Sequence, residues 1–224
     1  MQLRVSGDVA LGQTLAIAWR DLAGAGLRAL SALEPGEGCS ASSLDVEIDG
    51  LSGAEPKAQL VNFVCDADGC VRTSLLLLLA SPSEEEQTSL AAAVHEFASP
   101  CGRVVLLATM RFPAVLDCDD GVRALAFNGA SSNRRPGFPA DTVVPDGLLA
   151  ALLHFFRAGG TPTLALLAPG FRTRCVTGDA EALEVARTLA AAACGTLDCA
   201  FAPERLSAVD APLAGFADTS LVYT

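Results

Sequence analysis

The chain has 224 residues, of which 51% are hydrophobic and 18% charged, so it can bury a full core and global disorder is excluded. Its formal net charge of -11 repels phosphate backbones and anionic lipid, which disfavours nucleic-acid binding. The longest apolar runs are far shorter than the roughly 20 residues that cross a bilayer. The N-terminus lacks the basic and apolar regions of a secretory signal. We therefore expect a cytoplasmic protein that binds neither nucleic acid nor membrane.

The first recognisable elements have the patterns of strands. Leu44 to Ile48 alternates apolar and polar side chains before an Asp-Gly turn, which is typical of a half-exposed strand. Ala58 to Cys65 and Val71 to Ala80 are apolar runs on either side of an Asp-Ala-Asp-Gly loop. This pattern predicts a hairpin whose two strands lie centrally in a sheet.

A helix and a buried strand are predicted next. The sequence Ser-Glu-Glu-Glu beginning at Ser83 is a capping box with acidic residues at the positive end of a helix, which we expect to run to about Phe97. Arg103 to Met110 is a largely apolar run of strand length, expected in a sheet that is covered on both faces.

The second half of the chain begins with a predicted long loop from Pro113 to Pro145, in which only Val122 to Phe127 is apolar enough to be ordered. A strongly apolar helix is predicted from Asp146, its cap, to Ala158. An apolar strand over Thr161 to Ala168 and an amphipathic helix over Asp179 to Ala193 follow.

Strands that alternate with helices define the expected fold class. We predict an α/β protein with a mixed, largely parallel sheet sandwiched between helices. Residues 1–210 are expected to form a single domain, and residues 211–224 an exposed, flexible C-terminal tail.

The eight cysteines include no C-x-x-C pair, and their only regular spacings are two C-x4-C pairs, Cys65/Cys70 and Cys194/Cys199. A disulfide framework is a feature of small secreted domains, which this chain does not resemble in size or in its N-terminus. We expect reduced, mostly buried thiols and no metal ion.

Catalytic motifs are scarce. The segment Gly24 to Ala29 fits a loose dinucleotide-binding pattern, but the Trp-Arg-Asp before it is not an apolar strand, so we interpret the match as chance. The two histidines, His95 and His154, lie in predicted helices with no nucleophile nearby in sequence and are interpreted as packed or surface residues. We therefore expect neither an enzyme nor a cofactor.

The C-terminus is the strongest candidate binding site. Val222-Tyr223-Thr224 places an apolar side chain, the only tyrosine of the chain and a free carboxylate at its end. An aromatic ring with a phenol can fill a groove while the terminal carboxylate pairs with a basic residue of a receptor. This chemistry is typical of end recognition.

Much of the chain resembles the proteasome assembly chaperone 1 family. The resemblance runs through the hairpin and helix from Ala58 to Phe97, the strand from Arg103 to Arg111, the short Arg-Ala-Leu element at Arg123, the helix and strand from Asp146 to Ala168, and the end Val222-Tyr223-Thr224. The first 40 residues have no counterpart in it. Gly147-Leu148-Leu149 stands where the family has Leu-Pro.

The resemblance implies a non-enzymatic chaperone that pairs with a homologous subunit, proteasome assembly chaperone 2, and holds the α-ring during assembly of the 20S proteasome. Val222 and Tyr223 would enter a pocket between neighbouring α-subunits, and the Thr224 carboxylate would meet a pocket lysine. Two alternatives stay open: a nucleoside-phosphorylase-like α/β enzyme, which needs polar groups converging at strand ends, and a scaffold subunit of another complex.

Overall fold

The computed structural model describes residues 1–5, 9–21, 24–53, 56–112, 121–132, 135–139, 142–170 and 178–210. Within them the chain forms ten strands: β1 (Gln2–Val5), β2 (Thr14–Trp19), β3 (Leu33–Pro35), β4 (Cys39–Asp49), β5 (Ala58–Cys65), β6 (Val71–Leu78), β7 (Arg103–Met110), β8 (Arg123–Phe127), β9 (Thr163–Pro169) and β10 (Cys199–Phe201). The helices are α1 (Ala25–Ser31), α2 (Glu84–Phe97), α3 (Gly147–Ala158) and α4 (Gly178–Leu197), followed by a 3-10 helix (Pro203–Asp210).

Eight strands form one sheet in the order β1-β4-β5-β6-β2-β7-β9-β8. The central strands β6, β2, β7 and β9 are parallel, and the outer strands pair antiparallel with their neighbours. β3 and β10 form a separate antiparallel pair. Because the strands on either side of β2 both come later in the chain, the gap between β2 and β7 is the topological switch point of a doubly wound sheet.

Helices cover both faces of the sheet, and the alternation of side chains along each strand builds two apolar layers. Ile17 of β2 and Leu106 of β7 belong to the core with α2 and α3, whereas Ala18 and Leu107 belong to the core with α1 and α4. The predicted α/β class, with a mixed sheet between helices, is confirmed. No helix in the described part of the chain is long and apolar enough to span a bilayer.

Local patterns gave most of the later elements correctly. The hairpin β5–β6, helices α2 and α3 and strands β7 and β9 match their predicted positions within a few residues. The capping box is present, with the Glu86 carboxylate accepting a hydrogen bond from the Ser83 backbone N–H at 2.8 Å. The Asp146 cap is also present, because its Oδ1 accepts from the Leu149 N–H at 2.7 Å.

Two regions contain elements that local patterns did not define. The unassigned first 40 residues contain β1, β2, α1 and β3, and β2 is a fully central strand. The second lies in the predicted loop, where Val122 to Phe127 was the one part expected to be ordered: it contains strand β8, which pairs antiparallel with β9. The Ala124 N–H donates to the Pro136 carbonyl at 3.0 Å, and an Arg123 Nη1 donates to the Gly137 carbonyl at 2.6 Å, so residues 135–139 cover the outer side of β8.

Candidate functional site

The predicted partner-binding residues Val222, Tyr223 and Thr224 lie outside the described residues, as does all of 211–224. The chain that leads to them is held on the α1 side of the domain. The Ala202 N–H donates to the Ala32 carbonyl at 2.9 Å, and Leu206 is buried in the core that contains α1 and α4. Leu206, the last residue whose side chain is described, therefore belongs to the domain core.

We call the edge at which β6, β2, β7 and β9 end the carboxyl edge; it is where α1, α2 and α3 begin. Open α/β sheets bind ligands in the crevice outside this edge, at the switch point. Here the crevice between β2 and β7 contains Asp21, two residues beyond the end of β2. Its Oδ2 accepts hydrogen bonds from the backbone N–H groups of Thr109 at 2.5 Å and Gly26 at 3.3 Å.

Close packing of α1 against β7 brings these groups together. A Cβ added to Gly26 would lie closer than 3.0 Å to the backbone carbonyl oxygen of Leu107, so only glycine fits there. The first turn of α1 consequently approaches β7 closely enough for one carboxylate oxygen of Asp21 to bridge the helix and the strand. The loose glycine pattern that begins at Gly24 has this packing role.

Burial dominates the electrostatics of Asp21. Its pKa is raised to about 6, first by burial and to a smaller extent by the nearby Asp146 carboxylate, while the hydrogen bonds from Thr109 and Gly26 act in the opposite direction. Its second oxygen, Oδ1, is buried and has no hydrogen-bond partner within the described residues. A buried acceptor without a partner accounts for the preference for the neutral form.

Asp146 lies beside the crevice and joins β2 to α3. Its Oδ1 accepts from the Leu149 N–H at 2.7 Å and caps α3, while its Oδ2 accepts from the Trp19 indole N–H at 3.4 Å. Both carboxylate oxygens of Asp146 are thus occupied by groups of the protein.

Each of the helices α1, α2 and α3 has a carboxylate at its N-terminus, and Glu86 is the one at α2. Glu86 accepts from the backbone N–H groups of Ser83 and Ser52, both within 2.9 Å. These bonds lower its pKa to about 2. Carboxylates at these positions compensate the positive helix ends and satisfy free N–H groups, so each has a structural role.

The start of α1 lacks the geometry of a dinucleotide site. The reason given against such a site was wrong, because the apolar strand β2 does precede the glycine pattern. The position at the start of α1 where a pyrophosphate would bind is instead occupied by the Asp21 carboxylate. A phosphate there would face Asp21 and Asp146, so the described crevice does not suit a dinucleotide.

The histidines lie away from this crevice, as packed or surface residues. The His95 ring is 5.5 Å from the ring of Phe156 and packs against Gly159 at the end of α3. His154 is exposed, 5.9 Å from the ring of Phe155. Neither forms a triad with the carboxylates of the described residues.

The cysteines gather at the opposite, amino edge, where β6, β2, β7 and β9 begin. The six described ones are free thiols: Cys39, Cys65, Cys70, Cys101, Cys194 and Cys199. The prediction of mostly buried thiols was wrong, because Cys101 alone of these six is buried. Both C-x4-C pairs are brought together across turns, with the Cys194 and Cys199 sulfurs 3.8 Å apart. Within the described ranges no group of three or more His, Cys, Asp or Glu residues could hold a metal ion.

The fold and the crevice define a three-layer, doubly wound α/β domain. No protein-family model matches the chain, and no curated protein matches its sequence. Solved structures match over most of its length. PbaA of Pyrococcus furiosus, an archaeal homolog of proteasome-assembly chaperone, is 13% identical with a TM-score of 0.63, covering 95% of this chain and 92% of PbaA.

Two further structures show the same likeness. Pyrococcus furiosus PbaB, an archaeal proteasome activator, is 11% identical with a TM-score of 0.56 and 95% of each chain covered. A PAC2 family protein from Streptomyces avermitilis is 15% identical with a TM-score of 0.55, covering 92% of this chain and 97% of that protein. At such identities the likeness establishes a shared fold, and it does not single out the assembly chaperone 1 type.

Proposed function

We propose that this protein is a non-enzymatic chaperone of proteasome assembly. The observation that carries the proposal is the fold shared with PbaA over 95% of the chain, a larger part than the sequence resemblance covers. A common fold alone does not define a function. The second support is the end of the chain, whose chemistry suits capture by a pocket.

The proposed contact is made by the last three residues. Tyr223 fills a groove between neighbouring α-subunits of the 20S proteasome, with Val222 beside it, and the Thr224 carboxylate pairs with a lysine of the pocket. Tyrosine suits this position because it contributes a large apolar area together with a phenol that can reach a polar partner. Binding through a short terminal segment leaves the domain free for other contacts.

The proposal includes a second chain. The protein acts as a heterodimer with proteasome assembly chaperone 2 and works in the cytoplasm, where the α-ring is built. These parts rest on the resemblance of the segments from Ala58 onward to the assembly chaperone 1 family.

The carboxyl edge gives little support to the alternative of a nucleoside-phosphorylase-like enzyme. Such an enzyme needs polar groups that converge on a substrate. Asp146 already accepts two hydrogen bonds from the protein, and Asp21 bridges α1 and β7. A raised pKa at Asp21 alone does not make a catalytic site.

The experiment is a pull-down of 20S assembly intermediates with the full-length chain and with a chain that ends at Leu221. We expect α-subunits with the full-length chain and at least a tenfold smaller yield, a difference of about 1.4 kcal/mol, with the shortened one. The control is that the two chains have equal thermal stability, because the last three residues contribute little to the stability of the fold.

Three other outcomes have clear meanings. Equal capture by both chains would reject docking through the end while retaining the chaperone role. Capture of an unrelated complex by both would support the scaffold alternative. If neither chain captures α-subunits, the chaperone proposal fails and the enzyme alternative leads.

A further inference from the structure

Cys194 and Cys199 are placed close enough for thiol–disulfide chemistry, which the proposed function does not use. Cys194 lies in the last turns of α4, and Cys199 is the first residue of β10. Asp198 between them has a φ of 52°, which reverses the chain and turns Cys199 back toward the helix. The Cys199 Sγ–H donates to the Cys194 Sγ at 3.8 Å.

Contacts from three directions hold this turn in place. An Arg103 Nη2 donates to the Thr196 carbonyl at 2.9 Å, and the Thr73 hydroxyl donates to the Leu197 carbonyl at 3.4 Å. β10 is paired with β3, with Cys199 opposite Pro35. The two sulfurs are therefore positioned by the fold.

A disulfide is within reach of this geometry. Its S–S bond is about 2.05 Å long, so the sulfurs must approach by roughly 1.8 Å from their present 3.8 Å, which side-chain rotation and a small backbone shift can supply. Both residues are half-buried, which leaves a path for a small reagent.

The two thiols differ in reactivity. The hydrogen bond from Cys199 lowers the pKa of Cys194 in spite of burial, and the same bond, with burial and the Cys194 charge, raises the pKa of Cys199. By contrast, burial raises the pKa of Cys101 to about 11. Because the thiolate is the nucleophile, Cys194 is the sulfur that attacks first.

We propose that Cys194 and Cys199 form a reversible disulfide by exchange with a small-molecule disulfide, for which oxidised glutathione is the probe. The Cys194 thiolate attacks one glutathione sulfur, breaks its S–S bond and releases the first glutathione thiolate. Cys199 then loses its proton to solvent and attacks the Cys194 sulfur, releasing the second glutathione. The protein loses two electrons and two protons, and the oxidised glutathione gains them.

The second step is favoured by the first. Once Cys194 is bonded to glutathione it no longer carries a negative charge or accepts the Cys199 hydrogen bond, which removes two causes of the raised pKa of Cys199. Cys199 can then deprotonate and resolve the mixed disulfide. The product links the end of α4 to the strand that leads into the 3-10 helix Pro203–Asp210. This inference is independent of the proposed chaperone role.

The test uses the full-length protein in buffers of increasing oxidised-to-reduced glutathione ratio, with free thiols alkylated and peptides mapped by mass spectrometry. We expect the peptide that contains both Cys194 and Cys199 to resist alkylation, with a mass about 2 Da below that of its two-thiol form, and to accept two alkyl groups after reduction. The exposed Cys70 gives the matched control Cys70→Ser, which should leave the link unchanged.

Two variants test the assigned roles. Cys199→Ser should trap glutathione on Cys194 at about tenfold or more the level found on Cys199 in the Cys194→Ser variant. The proposal is overturned if Cys194 and Cys199 of the unaltered protein remain alkylated as free thiols at a ratio where Cys70 carries glutathione. It is also overturned if the unaltered protein retains as much glutathione on Cys194 as Cys199→Ser. The unaltered protein supplies the decisive result whether or not a variant folds.

Discussion

The carboxyl edge of the sheet carries carboxylates that are hydrogen-bonded to the protein, whereas the amino edge carries free thiols. At the carboxyl edge, Asp21, Glu86 and Asp146 each accept backbone hydrogen bonds at the start of a helix. At the amino edge the described cysteines are free, and Cys194 and Cys199 lie in sulfur contact. The carboxylates are thus used by the fold, whereas the thiols other than the buried Cys101 are at least partly exposed.

This difference shows that a doubly wound sheet need not keep a ligand crevice at its switch point. The Asp21 carboxylate bridges α1 and β7 where a ligand would bind in other sheets of this type. The carboxylates of Asp21 and Glu86 differ in pKa because they differ in burial. Burial raises the pKa of Asp21 to about 6, whereas Glu86 is less buried and its hydrogen bonds lower its pKa to about 2.

The largest expected effect on stability comes from comparing a glycine at the carboxyl edge with a glycine near the amino edge. Gly26→Ala should lower the free energy of unfolding by about 3 kcal/mol, because the new methyl group meets the rigid backbone of β7. Urea denaturation measures it. The control is Gly195→Ala in α4 near the amino edge, where an added Cβ has no neighbour within 4 Å. That variant should be stabilised by about 1 kcal/mol through helix propensity. Equal effects at both sites would contradict the close packing of α1 on β7.

The next prediction concerns the pH dependence of stability. The folded-state pKa of Asp21 is about 6 and its ordinary value is 3.8. The stability that the neutral carboxyl group contributes is therefore fully present below about pH 4 and is lost as the pH rises through 6. The stability of the unaltered protein relative to Asp21→Asn should therefore fall by about 2 kcal/mol between pH 4 and 7. Denaturant unfolding at several pH values measures this difference. A constant difference across that range would show that the carboxyl group is not buried as described.

A smaller effect is expected at Asp146. Asp146→Asn keeps a capping oxygen but removes the charge, so the free energy of unfolding should fall by about 0.5 kcal/mol or less, whereas Asp146→Ala should cost about 1 kcal/mol. Both variants should lower the pKa of Asp21, because the Asp146 charge raises it. NMR titration of the Asp21 carboxyl group measures the shift. An unchanged Asp21 pKa would mean that the two carboxylates do not interact.

Local signals explain how much of this could be predicted. The capping box at Ser83, the Asp146 cap and the hairpin after Ala58 depend on residues close in sequence, and all three were predicted. The C-x4-C spacing of Cys194 and Cys199 was also visible, although their contact was not, because it depends on the turn at Asp198.

The missed features depend on distant pairings. β2 is a short run containing two alanines, and its central position follows from parallel pairing with β6 and β7, which no local pattern encodes. Asp21 was noticed only as a polar residue before the glycine pattern. Its bond to the Thr109 N–H spans 88 positions in sequence, so the bridge between helix and strand could not be predicted.

The most direct test of the central claim compares the end of the chain with the carboxyl edge in one binding assay. Titration of purified 20S α-subunits with Tyr223→Ala and Asp21→Asn, each checked for folding, gives the two affinities relative to the unaltered protein. We predict that the affinity falls by about tenfold or more for Tyr223→Ala and does not change for Asp21→Asn. Unchanged binding by Tyr223→Ala together with a loss for folded Asp21→Asn would contradict this prediction.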